Sequence, residues 1–395
     1  MSRKIVFRTN ERTREAFECL NEVLQAFAKP RNLEIDCELS PQGSEYSELI
    51  LKTIHNSPVD VAEVGTSFLG DFVAMNALRP FHASEVQRLG SADAFVEHLW
   101  KAGSVEKQTW AIPWLSDVRL VFYRRDLLEK AGVREEGAFE TPERFEQTLR
   151  QLKEAGIRKP WVAPTTRSML MIHAVSSWIW YHGGQFIDAA NKKVLIAQPE
   201  TLAGLKDYYR LHKYFAPEWR DAGNLQADFA FHKGEAAVVI SGPWMFYLLQ
   251  QNAEIRDSIG VAAPLNHAFI GGSSLGIWKN SILEQASFEV IEYLTNNEFQ
   301  SSYPQTIGML PARLNALESY PFISAEMRTA TIAALRHGRE APDYSLWGLV
   351  ESRFATSLAR LWTEVLENPD VSVDEVVPKH MNTAAHRLNS LLAQH

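Results

Sequence analysis

The chain has 395 residues, of which 46% are hydrophobic, and a formal net charge of −8. This length predicts at least two domains with sizeable cores. The net negative charge, without any block of basic residues, argues against nonspecific binding to nucleic acid or to an anionic membrane surface. No apolar run in the sequence is long enough for a membrane-spanning helix.

The N-terminal part alternates short apolar runs with segments of helical periodicity. Such alternation is typical of βαβ units on a parallel sheet. The predicted strands are 5–7, 33–39 and 59–64, and the predicted helices are 15–28, 46–54 and 67–76, the last with Thr66 as a possible N-cap.

Polar residues follow two of these predicted strands. Asn10 comes after the first strand, and Thr66, Ser67 and Phe68 come after the third. Because α/β sheets bind ligands beyond the carboxyl ends of their strands, these residues are candidates for ligand contact. Arg12 is a further candidate, with a solvated first-turn arginine as the alternative interpretation.

The stretch 110–126 has the pattern of a crossing between two lobes. An apolar run is interrupted at Pro113 and resumes as a predicted strand over 120–123. Trp114 and Asp117 are spaced so that a flat apolar ring and a carboxylate can face the same space, which suits a polyhydroxylated ligand. The alternative is that Trp114 belongs to the core and Asp117 to a solvated turn.

The middle of the chain predicts a second set of helices and strands. Helices are expected from Thr141-Pro142, over 169–181 and from Pro199, and a strand over 238–240. Trp244 follows that strand at a helix start, which predicts a ring at the rim of a cleft. Trp178 and Trp180 lie on different faces of their helix, so at most one belongs mainly to the core.

The last third predicts two strand-like returns, over 261–265 and 271–278, and a single helix over 281–300. A further crossing is expected at 307–313. The remainder is helical in pattern, with breaks at Pro342, Pro369 and Pro378.

The motifs for catalysis and for cofactors give little support to an enzyme. The Gly272-Ser273-Ser274-Leu275-Gly276 sequence matches a nucleophile elbow but is followed by an extended apolar run instead of a helix. The histidines lack metal-ligand spacing, and no nucleotide-binding glycine motif occurs. Glu63 and Asp117 would form a glycosidase pair only if the fold brought them within roughly 5 to 9 Å. The sequence therefore favours binding without turnover and predicts neither cofactor nor metal.

The two cysteines and the N-terminus bear on the cellular compartment. Cys19 and Cys37 are expected to be buried free thiols, with a single disulfide as the alternative. The apolar part of residues 1–7 is too short for a signal peptide, so we expect either a cytoplasmic protein or a mature form.

Several short motifs, in their order along the chain, resemble those of the extracellular solute-binding proteins (family 1) of ABC-type sugar importers. They are Val59-Asp60-Val61, Ile112-Pro113-Trp114, Ser116-Asp117-Val118-Arg119, Gly242-Pro243-Trp244, Gly271-Gly272-Ser273-Ser274-Leu275-Gly276-Ile277 and Gly308-Met309-Leu310-Pro311-Ala312-Arg313.

This resemblance implies an α/β, two-lobed periplasmic-binding-protein fold (type II-like), each lobe a mainly parallel sheet flanked by helices, with several hinge crossings. Lobe 1 would comprise 1–115 and 265–312, and lobe 2 would comprise 116–264 and 313–395. It further implies a monomeric, extracytoplasmic protein that closes on a carbohydrate in the cleft and delivers it to the permease subunits of an ABC importer, without nucleic acid.

The resemblance also assigns ligand-facing positions. They are Thr66, Ser67, Phe68, Trp114, Asp117, Arg119, Trp244, Gly272, Ser273 and Arg313, and we add Trp178 and Trp347, for which core packing is the alternative. Arg119 and Arg313 together favour an anionic sugar as one alternative ligand. A polyamine is a second alternative ligand and would require more carboxylates in the cleft. A carbohydrate-active enzyme is the competing interpretation from a different class of protein.

Overall fold

The computed structural model describes residues 3–10, 13–40, 44–168 and 170–393. The strands are β1 (Arg3–Thr9), β2 (Leu33–Leu39), β3 (Val61–Gly65), β4 (Leu78–Arg79), β5 (Ser104–Val105), β6 (Gln108–Thr109), β7 (Ala111–Val118), β8 (Leu120–Arg124), β9 (Trp161–Val162), β10 (Ile187–Asp188), β11 (Lys193–Val194), β12 (Val238–Ser241), β13 (Ile259–Ala262), β14 (Ile270–Trp278) and β15 (Leu310–Pro311).

The α-helices are α1 (Arg14–Ala28), α2 (Glu45–Ile54), α3 (Leu69–Ala74), α4 (Ala83–Arg88), α5 (Glu97–Ala102), α6 (Arg125–Lys130), α7 (Pro142–Glu154), α8 (Leu170–Tyr181), α9 (Pro199–Arg210), α10 (Asn224–His232), α11 (Trp244–Gln250), α12 (Glu284–Leu294), α13 (Asn297–Thr306), α14 (Leu314–Glu318), α15 (Ala325–His337), α16 (Trp347–Glu367) and α17 (Val373–Leu392). Short 3₁₀ helices cover Lys29–Arg31, Thr66–Phe68, Ala92–Ala94, Leu211–Tyr214, Arg256–Ser258 and Pro264–Asn266.

The chain divides into two compact units. Unit 1 comprises Met1–Asp117, Gly271–Pro321 and Asp343–Gly348, and unit 2 comprises Val118–Ile270, Phe322–Pro342 and Leu349–His395. Two of these boundaries fall inside the strands β7 and β14, where no change of composition marks them. The sequence places boundaries at 115, 264 and 312 and predicts no return of 343–348 to unit 1.

Among the described residues, unit 1 holds a seven-stranded sheet in the order β15, β7, β14, β3, β1, β2, with β4 paired to β14. β1 pairs in parallel with both β2 and β3, as the βαβ pattern predicts. β14 pairs antiparallel with β3, and β15 pairs antiparallel with β7. The sheet is therefore more mixed than expected, because strands that re-enter unit 1 after a crossing run in the opposite direction.

Helix α1 shows why the N-terminal part was predictable from its pattern. Thr13 caps the helix by accepting a hydrogen bond from the Ala16 backbone N–H at 3.1 Å. Leu20 and Leu24 are fully buried on one face of the helix, where each contributes roughly 1.5 to 3 kcal/mol. Cys19 and Cys37 are both partly buried.

The segment predicted as one helix over 281–300 is two helices, α12 and α13. The Asn296 side chain accepts a hydrogen bond from the Phe299 backbone N–H at 2.8 Å and thereby starts α13. Asparagine favours this N-cap role over a helix interior, so the single-helix prediction was wrong at this point. Two smaller expectations also fail, since Thr66 begins a 3₁₀ helix instead of capping, and Pro378 lies inside α17.

The crossing expected at 307–313 lies within unit 1, and the chain leaves this unit only after Pro321. Leu310 and Pro311 are held by β15, which pairs with Leu115 and Ser116 of β7. This short ladder does not reach Pro113, which lacks a backbone donor.

A buried carboxylate on α3 holds the segment Asp343–Gly348 against the rest of unit 1. Asp71 is 3% exposed, and its carboxylate accepts hydrogen bonds from the Tyr46 hydroxyl and from the Gly348 backbone N–H. Burial raises the pKa of Asp71 to about 7, although both hydrogen bonds oppose this shift.

Unit 2 contains a second mixed sheet, in the order β13, β8, β12, β9. β8 pairs antiparallel with β12 and β13, and β12 pairs in parallel with β9. Helix α7 begins as expected, with the Thr141 hydroxyl accepting from the Arg144 backbone N–H at 3.2 Å and Pro142 in the first turn. Its buried Phe145 packs on Trp161 with 5.3 Å between ring centroids.

Candidate functional site

The carboxyl ends of β1 and β3 form a polar edge in unit 1. The Glu63 carboxylate accepts hydrogen bonds from the Asn10 backbone N–H at 2.7 Å and from the Thr9 hydroxyl at 3.0 Å. The Asn10 side-chain amide donates to the Glu63 carbonyl at 3.1 Å. The Asn10 Oδ1 atom is buried and has no partner among the described residues, so it can still accept a hydrogen bond.

Thr66, Ser67 and Phe68 form the 3₁₀ helix directly after β3, and all three are partly exposed. The Phe68 ring packs on Tyr46 with 4.9 Å between centroids, so part of this ring belongs to the core. Ser273 of β14 lies opposite Gly65 at the same end of β3. The Ser273 hydroxyl is buried without a partner in the part of the chain that the structure describes.

Gly272 and Asp117 lie on the neighbouring strands β14 and β7. Gly272 has a φ of +153°, and a Cβ atom there would meet the Leu115 carbonyl oxygen at 2.1 Å. Glycine at this position therefore permits the close approach of the two strands. Asp117 is 6% exposed at the end of β7. The structure thus brings Asn10, 66–68, Asp117, Gly272 and Ser273 to neighbouring strands of one sheet.

Trp114 does not belong to this polar edge. The ring has no exposed surface, stacks on Tyr303 with 5.9 Å between centroids, and meets Phe7 edge-on at 6.4 Å. The structure corrects the expectation of a ligand-facing ring, because three aromatic side chains from distant parts of the chain enclose one another in the core of unit 1.

Trp178 and Trp347 are also core residues, as their alternative interpretation allowed. Trp178 is fully buried and packs edge-on against Phe145 and Tyr208, at 5.1 Å and 4.9 Å between centroids. Trp347 begins α16 and is 1% exposed. Neither ring offers a face to a ligand. Trp180 is only 4% exposed as well, so the prediction that at most one of Trp178 and Trp180 belongs mainly to the core was wrong.

The Arg313 side chain is buried within unit 1. Its guanidinium donates to the Leu89 carbonyl at 2.8 Å and to the Thr295 carbonyl, and it lies 4.6 Å from the Phe95 ring centroid. Burial lowers the pKa of this arginine. Because these contacts use the guanidinium to join three segments of unit 1, we assign Arg313 a structural role instead of the expected ligand contact.

Unit 2 holds a second group of candidate residues around Trp244. This partly exposed indole starts α11, and its N–H donates to the Asp228 carboxylate at 2.6 Å. The Ser241 hydroxyl donates to the other oxygen of Asp228 at 2.7 Å. A Cβ atom at Gly242 would lie 2.1 Å from the Trp244 ring, so glycine lets the ring fold over the strand end.

Arg119 completes this group, which we call the Trp244 recess. The Arg119 guanidinium carbon lies 4.6 Å from the Trp244 ring centroid, in cation–π geometry, and Arg119 is 3% exposed. The Arg119 backbone N–H donates to the Phe269 carbonyl at 2.9 Å. The recess measures about 20 Å³, and its other lining residues are Pro164, Leu170, Ala174, Asn224, Ala227 and Ile240.

One known protein family matches most of the chain. Residues 22–330 match the family described as Bacterial extracellular solute-binding protein. The chain belongs to this family. The match confirms the resemblance to extracellular solute-binding proteins that the sequence motifs indicated.

Individual relatives of this chain are distant in sequence. The diacetylchitobiose binding protein DasA of Streptomyces coelicolor is 21% identical over 345 residues, which cover 82% of this chain and 77% of DasA. A putative binding protein of Brucella abortus is 20% identical and covers 82% of this chain and 80% of its own length.

Solved structures of solute-binding proteins confirm the fold over the whole chain. An ABC transporter solute-binding protein from Thermotoga lettingae, bound with α-D-tagatose, has a TM-score of 0.84 at 19% identity and covers 99% of this chain and 100% of its own. Maltose-bound MalE3 from T. maritima has a TM-score of 0.81 at 22% identity, covering 98% and 99%. The two-lobed α/β fold of the periplasmic-binding-protein type is therefore confirmed.

The sequence patterns did not indicate two residues of these groups as candidates for ligand contact. Asp228 is a carboxylate on the buried face of α10, beside Ala227 and Phe231, and an acidic residue on such a face was the available signal. Glu63 is buried in β3 and was considered only as half of a glycosidase pair. Arg12 lies outside the described residues.

Two further findings concern metals and membranes. Among the described residues, no three His, Cys, Asp or Glu side chains cluster as metal ligands. No helix in the described ranges combines the length and apolar character needed to span a bilayer.

Proposed function

We propose that this solute-binding protein acts outside the cytoplasm. It binds a carbohydrate there and passes it unaltered to the permease subunits of an ABC importer. The names of relatives support a carbohydrate, because DasA is a diacetylchitobiose binding protein and the two solved structures carry tagatose and maltose. The family description, which calls its members extracellular solute-binding proteins, supports the location and the absence of turnover.

The observation that carries this proposal is the pairing of a partly exposed Trp244 ring with the Asp228 carboxylate. An indole face packs on the C–H face of a pyranose, and a carboxylate accepts hydrogen bonds from its hydroxyl groups. Arg119 supplies guanidinium donors beside the same ring. Because a neutral sugar needs both a flat apolar surface and charged hydrogen-bond partners, the Trp244 recess matches its chemistry.

The polar edge of unit 1 provides further hydrogen-bonding groups for a sugar. The Asn10 Oδ1 atom and the Ser273 hydroxyl are both buried and unpartnered among the described residues. A buried polar atom without a partner costs free energy, and a ligand hydroxyl would remove this cost. We therefore include Asn10 and Ser273 among the proposed ligand contacts, together with the carboxylate of Asp117.

Ligand screening tests the proposal directly. The purified chain is heated with tagatose, maltose, diacetylchitobiose, a sugar acid or putrescine, since a ligand that binds only the folded state raises the melting temperature. We expect a saturable increase with one class of neutral sugar, and we expect chromatography to recover that sugar unaltered. An increase with putrescine alone, or consumption of the sugar, would contradict the proposal.

A further inference from the structure

A groove of about 360 Å³ lies between the long helices α16 and α17 of unit 2. On α16, its lining residues are Arg353, Thr356, Ser357 and Arg360. Their spacing of three, four and seven residues places them on one face of the helix. This face of α16 therefore presents two guanidinium groups and two hydroxyl groups to the groove.

Helix α17 contributes the opposite wall and an apolar floor. Lys379, His380 and Arg387 supply basic side chains, and Ala384, Leu388 and Leu391 supply apolar ones. The lining residues of α17 run from 379 to 391, which corresponds to about 18 Å at 1.5 Å per residue. The groove is thus elongated, basic along both walls and apolar at its base.

The basic charge of this groove is only partly neutralised. Lys379 and His380 both contact Glu364, at 3.2 Å and 2.6 Å. No carboxylate of a described residue lines the groove, and no described residue forms an ion pair with Arg353, Arg360 or Arg387. This concentration of positive charge is unusual for a chain with 40 basic and 48 acidic residues.

We infer that the groove between α16 and α17 is a docking site for an acidic amphipathic segment of another protein. Acidic side chains on such a segment would pair with the arginines of both walls, while its apolar side chains would cover the partly exposed Leu391. A small anion such as phosphate would leave Leu391 in contact with water. The net negative charge of the whole chain disfavours nucleic acid or an anionic membrane as the occupant.

The test uses a fluorescein-labelled helical peptide with glutamate on one face and leucine on the other, followed by fluorescence anisotropy. We expect saturable binding at one site that weakens as salt is added, because exposed charge pairs are screened. The double variant Arg353→Glu/Arg360→Glu should weaken binding by about tenfold or more. Arg336→Glu, a charge reversal of an exposed arginine on α15, serves as the matched control and should leave binding unchanged.

Further measurements distinguish a docking site for an acidic peptide from a site for other anions. A peptide with lysine in place of glutamate should not bind, and inorganic phosphate should not compete at physiological concentration. Binding of phosphatidylserine vesicles but not of the peptide would overturn the inference, as would equal peptide binding by wild type and by a folded double variant. Arg353→Gln/Arg360→Gln provides a second, milder variant, which should show an intermediate loss. Because these measurements use no sugar, their failure would leave the proposed solute binding unaffected.

Discussion

The indole N–H of Trp244 donates to the Asp228 carboxylate at 2.6 Å, and this bond joins the start of α11 to the middle of α10. The same carboxylate accepts from Ser241 at 2.7 Å. A charged acceptor strengthens both bonds, so the ring and the carboxylate hold fixed positions before a ligand arrives. Preorganisation of this kind reduces the free-energy cost of binding.

Replacing Trp244 with alanine should remove the apolar surface of the recess. We expect sugar affinity to fall by about 1 to 3 kcal/mol, as is typical when a packed aromatic anchor is truncated. Isothermal titration calorimetry with the sugar found by screening measures this loss. Tyr247→Ala, which removes an exposed ring from the same helix, is the matched control and should retain full affinity.

The Asp228→Asn variant tests the charge of the recess. The amide preserves the shape of the carboxylate but removes its charge and places an N–H₂ group opposite one of two donors, Ser241 or Trp244. We expect a loss of about 1.5 to 3 kcal/mol in sugar binding, since hydrogen bonds to charged groups are the stronger ones. The exposed Asp257→Asn variant should bind normally, and an equal loss in both variants would contradict a specific role for Asp228.

Trp114→Ala should affect stability instead of binding. The ring is fully buried between Tyr303 and Phe7, so its removal leaves a cavity that costs about 3 to 5 kcal/mol in the free energy of unfolding. Urea denaturation measures this cost, and Trp114→Phe should cost less because the cavity is smaller. Titration of the folded protein below the urea transition should give the wild-type affinity for the sugar. A selective loss of sugar affinity without a loss of stability would indicate that Trp114 contacts the ligand, and would contradict its core role.

Asp71 predicts a specific dependence of stability on pH. Burial raises the pKa of this carboxyl in the folded state to about 7, above its value of 3.8 when unperturbed. Between these two values the folded state retains a proton that the unfolded state has released. The contribution of Asp71 to the free energy of unfolding therefore falls as the pH rises from about 4 to about 7, by roughly 3 to 4 kcal/mol in total.

The Asp71→Asn variant should lack this dependence, because an amide does not titrate. We expect the variant to gain stability relative to wild type as the pH is raised from 5 to 8. Urea denaturation at both pH values measures the difference, with Asp257→Asn as an exposed control. Parallel pH profiles for Asp71→Asn and wild type would show that this carboxyl is already ionised in the folded state at low pH.

The N-terminal helices and strands were predictable because their signals are local. Thr13, Leu20 and Leu24 indicate a capped amphipathic helix within one short segment, and the structure confirms it. The direction of β14 was not predictable in this way. Its antiparallel pairing with β3 depends on where the chain re-enters unit 1, which no local pattern records.

The candidate site also shows that local sequence patterns do not record long-range contacts. Trp114 and Trp244 both follow a proline, yet the structure encloses Trp114 in the core and leaves Trp244 partly exposed. The burial of Trp114 depends on Tyr303, which is far away in the sequence. The position of Trp244 depends on nearby residues, namely Gly242 and Asp228. Sequence motifs therefore identified both rings but could not separate their roles.

The place of β14 in the sheet of unit 1 has a consequence for biosynthesis. This strand lies between β7 and β3, although residues 119–269 of unit 2 are translated after β7 and before β14. During translation, β3 and β7 therefore emerge from the ribosome before β14, and the edges that pair with β14 stay unpaired until it is synthesised. Such long-range pairing slows folding, and the strand edges that stay unpaired until β14 is made can aggregate.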